Sequence, residues 1–202
     1  MIPQTHRPNP STVAHAVTDA AAAQRRQWLR AAAAWLVLPA AAQPGAPWPE
    51  VSASLAEARL SGTARLRVWG FEVYDAQLWV TPSFRASQFA QHPLALSLRY
   101  LRALKGAAIA ERSLKEMQGI QPIPEAQAAQ WLTAMMQTFP DVQAGDRLTG
   151  LHQPGVGARF WLNGQPTGAI ADARFGPAFF GIWLAEATSE PSLRRQLLAG
   201  TS

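Results

Sequence analysis

The 202-residue chain has no cysteine, two lysines and two tyrosines. The first absence excludes disulfides, thiolate nucleophiles and cysteine-based metal sites. Lysine is confined to Lys105 and Lys115, and beyond residue 42 no run of cations exceeds the pair Arg194-Arg195. Arg7, Arg25, Arg26 and Arg30 against Asp19 put a net +3 in the first 42 residues, which leaves +2 of the formal +5 for the remainder. Phosphate-backbone binding needs several clustered cations, so no nucleic-acid partner is expected. Histidine is scarce too: beyond the leader only His92 and His152 occur, neither with a carboxylate or second histidine at ligand spacing. No metal and no cofactor is expected on that pattern. The chain has no Gly-x-Ser-x-Gly elbow, and Pro154-Gly155-Val156-Gly157 lacks the Lys and Ser or Thr of a phosphate loop, so it reads as a turn. No uncharged apolar run reaches the roughly 20 residues of a spanning helix.

What the chain does have is 48 % apolar residues, enough for one well-formed core plus an extension. Arginine is strongly preferred over lysine, which permits bidentate carboxylate binding. Residues 1–24 are rich in Pro, Ala, Thr and Gln and lack an apolar stripe, which predicts disorder in isolation. Arg25-Arg26-Gln27-Trp28-Leu29-Arg30 then precedes the apolar run Ala31 to Leu38, and Pro39-Ala40-Ala41-Ala42 offers an Ala-x-Ala cleavage site. This reads as an export signal of either the general secretory or the twin-arginine type. The expected organisation is a leader over 1–42, an extended Pro-rich lead-in over 43–52 and one periplasmic domain over 53–202, with no transmembrane anchor once the signal is cleaved.

The stretch Gln153 to Leu184 is the clearest structural signal. A Pro-Gly turn, an extended run Arg159 to Leu162, the Asn163-Gly164 turn of a type I′ hairpin and a second extended run lead into an apolar helix ending at Leu184. Upstream, Ala56 to Val68 reads as two strands or one bent strand interrupted at Gly62, and Trp69-Gly70 as a turn. Phe71 to Val80 and Pro93 to Leu101 alternate as strands, with Tyr74 sharing a face with Ala76, Leu78 and Val80. Lys105 to Gln118 predicts a helix with a stripe of Ala107, Ala110, Leu114 and Met117, the pairs Glu111–Lys115 and Arg112–Glu116 outside, and Gly119 at its end. A second helix opens at Pro124 with a Met and Trp stripe, Asp146 to His152 forms a strand, and a last helix over Pro191 to Ala199 takes Ser189 as N-cap. Strands and helices segregated in this order predict an α+β fold, an antiparallel sheet with helices on one face.

The cationic and aromatic residues left as candidates are Arg65, Arg67, Tyr74, Arg99, Tyr100, Arg102 and Arg112. Arg65 and Arg67 share a strand face, and one of them could accompany Tyr74 across a strand pair. Leu60-Ser-Gly-Thr-Ala-Arg-Leu-Arg, Gly70-Phe-Glu-Val-Tyr-Asp-Ala-Gln-Leu-Trp-Val, Leu104-Lys-Gly at a helix start, Gly150-Leu-His-Gln-Pro-Gly-Val-Gly, Asn163-Gly164 and Ile182-Trp183-Leu184 together resemble the bacterial chalcone isomerase-like domain over residues 53 to 200. The resemblance implies an open-faced β-sandwich, a large antiparallel sheet with helices packed on one face. It aligns the family arginine with Arg65 or Arg67, the catalytic threonine with Tyr74, and the catalytic helix positions with Ile109, Arg112 and Glu116. The helix tyrosine and asparagine are missing and the lysine has become arginine, which removes groups that polarise the enone carbonyl in cyclisation. Fatty-acid-binding relatives hold a carboxylate with an arginine and a tyrosine. The resemblance therefore implies a ligand site of Arg65, Arg67, Tyr74 and Arg112 for a small amphipathic or aromatic carboxylate. Its tail would lie along Leu98, Ile109, Met135 and Phe179. An isomerase or intramolecular lyase with a changed catalytic set is the alternative, and an interaction module for an envelope protein a third.

Overall fold

The computed structural model describes residues 45–201; the leader, with Arg25, Arg26 and the cleavage motif, lies outside the described residues. These residues form six strands, β1 (Arg59–Val68), β2 (Phe71–Val80), β3 (Leu94–Tyr100), β4 (Arg147–Gln153), β5 (Gly157–Leu162) and β6 (Gln165–Ile170), joined in sequence order into one antiparallel sheet. Five α-helices accompany them: α1 (Pro49–Ser54), α2 (Gly106–Ile120), α3 (Glu125–Thr138), α4 (Phe175–Leu184) and α5 (Pro191–Leu197). A 3-10 segment, Ala86–Gln91, connects β2 to β3.

Two hairpins of the meander turn on the same geometry. Asn163 and Gly164 take φ values of 50° and 84°, and Trp69 and Gly70 take 49° and 84°. Gly62 marks a bulge in β1, where the register slips between Leu60 and Gly62. It also lets the strand approach α5 closely, since a Cβ there would stand 2.1 Å from the Gln196 carbonyl oxygen.

Alternation then sorts the strands into two faces. Tyr74, Ala76, Leu78 and Val80 of β2, Leu94 to Tyr100 at every second position of β3, and Phe160 of β5 form the main core with α2, α3, α4 and α5. Aromatic stacking centres on Phe179, with Phe139, Phe160, Phe175, Phe180 and Trp183 around it at centroid distances from 5.3 to 5.8 Å. The other face is largely open, as expected, but α1 covers part of it. Val51 and Leu55 bury against Trp79, Ala95, Leu151 and Trp161. Glu50 accepts hydrogen bonds from the Arg147 guanidinium at 2.7 Å and the Thr149 hydroxyl at 2.9 Å, and Arg147 stacks 3.7 Å from the Trp48 ring centre. The Pro-rich lead-in is thus partly helical and attached to the sheet.

Three helix details differ from expectation. Helix α2 runs through Gly119 to Ile120, and its buried face is Gly106, Ala110, Ser113 and Met117, one residue away from the expected stripe at Ala107 and at Leu114. The reason is tertiary: a Cβ at Gly106 would lie 2.0 Å from the Phe139 carbonyl oxygen, so only glycine lets α2 begin against the end of α3. Helix α5 starts at Pro191 as expected, but Glu190 occupies its cap position and the Ser189 hydroxyl donates to Glu116 instead of capping.

Candidate functional site

Between the sheet and α2, α4 and α5 lies a cavity of about 340 Å³. That is at the lower end of the roughly 300–1,000 Å³ typical of small-molecule sites. Its walls are mostly apolar: Leu66, Leu98 and Leu148 from the sheet, Ile109 from α2, Phe179 and Ile182 from α4, and Leu193 from α5. Both tyrosines of the chain face into it. They are direct cross-strand partners of β2 and β3, with ring centroids 5.9 Å apart in an edge-on arrangement.

The two phenols differ in what they already hold. The Trp183 indole N–H donates to the Tyr74 hydroxyl at 2.9 Å, leaving the Tyr74 proton free to donate. The Tyr100 hydroxyl has no hydrogen-bond partner among the described residues, although the residue is 2 % exposed. Burial pushes both phenols above the ordinary tyrosine range, and at Tyr74 the Trp183 bond only partly offsets it. Both therefore stay protonated at neutral pH, with their O–H groups available as hydrogen-bond donors to the cavity.

The rim supplies charge. Arg112 pairs with Glu116 one helical turn on, and Ser189 donates to the second Glu116 oxygen at 2.7 Å, so the cavity wall is tied from α2 to the segment before α5. Arg112, Glu116 and Glu190 all line the cavity and act electrostatically on the Tyr74 phenol. The Arg112 side chain is still 62 % exposed and has guanidinium donors to spare. Arg102 lines the cavity at the end nearest the β1–β2 turn.

Of the site residues expected from sequence, Tyr74 and Arg112 come together in this cavity, whereas Arg65 and Arg67 do not line it. The register pairs Arg65 with Asp75 and Leu66 with Tyr74, so Arg65 projects from the opposite face of the sheet to Tyr74. There the Arg65 guanidinium is already engaged, by Asp75 at 2.6 and 3.0 Å and by Glu72 at 2.9 Å. Arg67 shares Glu72 at 2.8 Å and Arg99 shares Asp75 at 2.9 Å. Hydrogen bonds from Arg65 hold both carboxylates below their ordinary range. The pairing of Arg65 or Arg67 with Tyr74 on one carboxylate is therefore not available in this geometry. Of the expected tail contacts, Leu98, Ile109 and Phe179 line the cavity, and Met135 is packed in the core away from it.

Tyr100 was among the sequence candidates but outside the expected ligand set, and Trp183 was not singled out as a site residue. A signal for Tyr100 existed, since it continues the buried alternation Leu94, Leu96, Leu98; Trp183 approaches Tyr74 only through the folding back of α4. His152 is buried with Nε2 2.9 Å from the Ala90 carbonyl oxygen and lies against Phe180, outside the cavity. Among the described residues, no group of three or more His, Asp or Glu side chains is placed to hold a metal ion.

Residues 49–199 match a family model described as chalcone isomerase-like. An uncharacterized protein of Haemophilus influenzae is 34 % identical over 134 residues, which is 66 % of this chain; the match spans 64 % of that protein's length. The crystal structure of a fatty-acid binding protein of Arabidopsis thaliana superposes with a TM-score of 0.56 over 71 % of this chain and 87 % of that one, at 11 % identity. At that identity the likeness is one of fold.

Proposed function

This chain belongs to the chalcone isomerase-like family, and we propose that it binds a small amphipathic molecule, a fatty acid or aromatic carboxylate, in the cavity without turning it over. One observation carries the proposal: an apolar cavity whose walls present two phenol donors, one of them with no hydrogen-bond partner among the described residues. An acyl or aryl tail fits the leucine, isoleucine and phenylalanine walls. The head group's oxygens accept from Tyr74 and Tyr100, with Arg112 as the nearby cation. The fold shared with a fatty-acid binding protein is consistent with this role.

The isomerase reading has one observation in its favour, since a protonated phenol polarises a carbonyl. Ring closure also needs a phenoxide, and the carboxylates lining the cavity, Glu116 and Glu190, are weak bases beside a phenol, Glu116 being tied as well to Arg112 and Ser189. Incubation with a chalcone should therefore leave its absorbance unchanged.

Binding is tested by melting the protein against a series of saturated fatty acids. A ligand at about 100 times its Kd adds about 2.7 kcal/mol, or roughly 5–10 °C for a chain of this size. An unmoved melting temperature across the series would sink the proposal. Export belongs to the same proposal, supported by the Arg25-Arg26 pair, the apolar run and the Ala-x-Ala site. The intact mass of the periplasmic protein should begin after residue 42, and a product that keeps Met1 and stays in the cytoplasm would remove it.

A further inference from the structure

The β1–β2 turn carries the two most exposed large apolar side chains among the described residues, Trp69 at 94 % and Phe71 at 64 %. Nothing in the fold explains the tryptophan. The β5–β6 turn has the same backbone, φ 50° and 84°, and fills its first position with asparagine, which tolerates a left-handed conformation. At φ 49° a bulky indole is strained, and in this structure it packs on no core. A strained aromatic held out in solvent is the kind of outlier from which a functional role is inferred.

Its position supplies the role. Trp69 and Phe71 stand at the mouth of the cavity, and the Arg102 guanidinium lies 5.6 Å from the Phe71 ring centre at the same mouth. Around the hairpin, Arg65, Arg67 and Arg99 pair with Glu72 and Asp75 on the sheet face away from the cavity, and Arg102 stands on the cavity side, so the four arginines exceed the two carboxylates by two positive charges. We infer that this tip docks on an anionic lipid bilayer, with the cavity mouth against the membrane so that the amphiphile passes between bilayer and cavity without crossing water. The inference rests on the binding role proposed above.

The chemistry favours a bilayer over a protein. Two rings on a two-residue turn cover far less than the roughly 800 Å² per partner of a stable protein interface. A bilayer interface takes a protruding indole with a cationic collar, because the ring enters the head-group layer while arginines meet anionic lipid. A water-poor ligand needs such a route, since leaving the membrane through solvent costs the full transfer of its tail.

The absence of cysteine makes the test site-specific. In the full chain, Phe71→Cys carries an environment-sensitive aromatic label in place of the phenyl ring, and Val156→Cys, 57 % exposed at the opposite end of the sheet, carries the control label. Vesicles of phosphatidylcholine with phosphatidylglycerol should shift emission to the blue at position 71 and not at 156, and pure phosphatidylcholine should do so weakly. Trp69→Ala in the Phe71-labelled chain should weaken partitioning about tenfold or more, the loss of one large buried apolar side chain. Arg102→Gln should weaken it about fivefold. No shift at 71, an equal shift at both positions, or a label at 71 already shielded before vesicles are added, by the leader, a second copy or a protein partner, overturns the inference. Ligand carried by the unsubstituted chain is measured separately by mass spectrometry. Ligand present without a shift removes the docking alone, and a shift without ligand removes the cavity reading.

Discussion

Tyr100→Phe removes one oxygen from the cavity wall and should move stability and affinity in opposite directions. In the protein alone that hydroxyl has no hydrogen-bond partner among the described residues, and its residue is 2 % exposed. A hydroxyl that opens on the cavity and has no partner among the described residues contributes nothing to the fold beyond any water it meets, so its loss should change stability by between zero and about +1 kcal/mol. For a chain of this size that is a rise in melting temperature of at most about 4 °C. Binding should suffer, because a hydrogen bond to a charged acceptor contributes about 1.5–3 kcal/mol, equivalent to roughly a tenfold to 150-fold weaker Kd for a carboxylate ligand. Tyr74→Phe is the built-in comparison. It strands the buried Trp183 N–H that Tyr74 accepts at 2.9 Å, so it should cost about 1–3 kcal/mol of stability as well as affinity. Thermal melts and ligand titrations of both variants read the two effects independently. If Tyr100→Phe destabilises the chain as much as Tyr74→Phe and leaves fatty-acid affinity unchanged, the hydroxyl serves the fold and the reasoning is refuted.

At high pH, both phenols should resist ionisation. Burial raises them above the ordinary value near 10, so the folded chain retains protons that the unfolded chain releases; stability is full below about pH 10 and falls as pH rises toward the folded values. Tyrosinate absorbance should appear only together with loss of near-ultraviolet circular dichroism, and tyrosinate in an intact fold would contradict the burial. Gly62→Ala should cost about 1–3 kcal/mol by forcing β1 from α5, where the new Cβ would meet the Gln196 and Leu197 carbonyl oxygens at 2.1 and 2.6 Å. Gly119→Ala, with nothing within 4 Å inside a helix, should stabilise by about 0.5–1 kcal/mol, and equal effects from the two in denaturant melts would show the packing is misread. Glu50→Ala leaves the Arg147 charge buried without its partner and should cost about 3–5 kcal/mol, which Glu50→Ala with Arg147→Met should largely recover.

The sheet was legible because its turns and alternation are local. Asn163-Gly164 and Trp69-Gly70 state where strands reverse, and Gly62 states where one bends. Helix ends were less so, because neighbours decide them: Ser189 is drawn to Glu116, and Gly106 is required by the Phe139 carbonyl oxygen. Helix α1, six residues long, was hidden at the end of the Pro-rich lead-in, and Val51 and the C-cap Leu55 meet partners only on the folded sheet. The site divides the same way. Tyr74 was readable from the β2 alternation, and Tyr100 by the same rule on β3. The face taken by Arg65 was not, since two bulges in the β1–β2 pairing set it and a one-residue slip reverses every side chain.

The central claim is that the cavity holds an amphipathic ligand by its two phenols. Full-length protein purified without added lipid and released under denaturing conditions should yield, by mass spectrometry, an amphipathic carboxylate at near one per chain. Tyr74→Phe combined with Tyr100→Phe should yield little or none. Release of nothing amphipathic from the unsubstituted chain, with a melting temperature that added fatty acids do not move, would contradict the account.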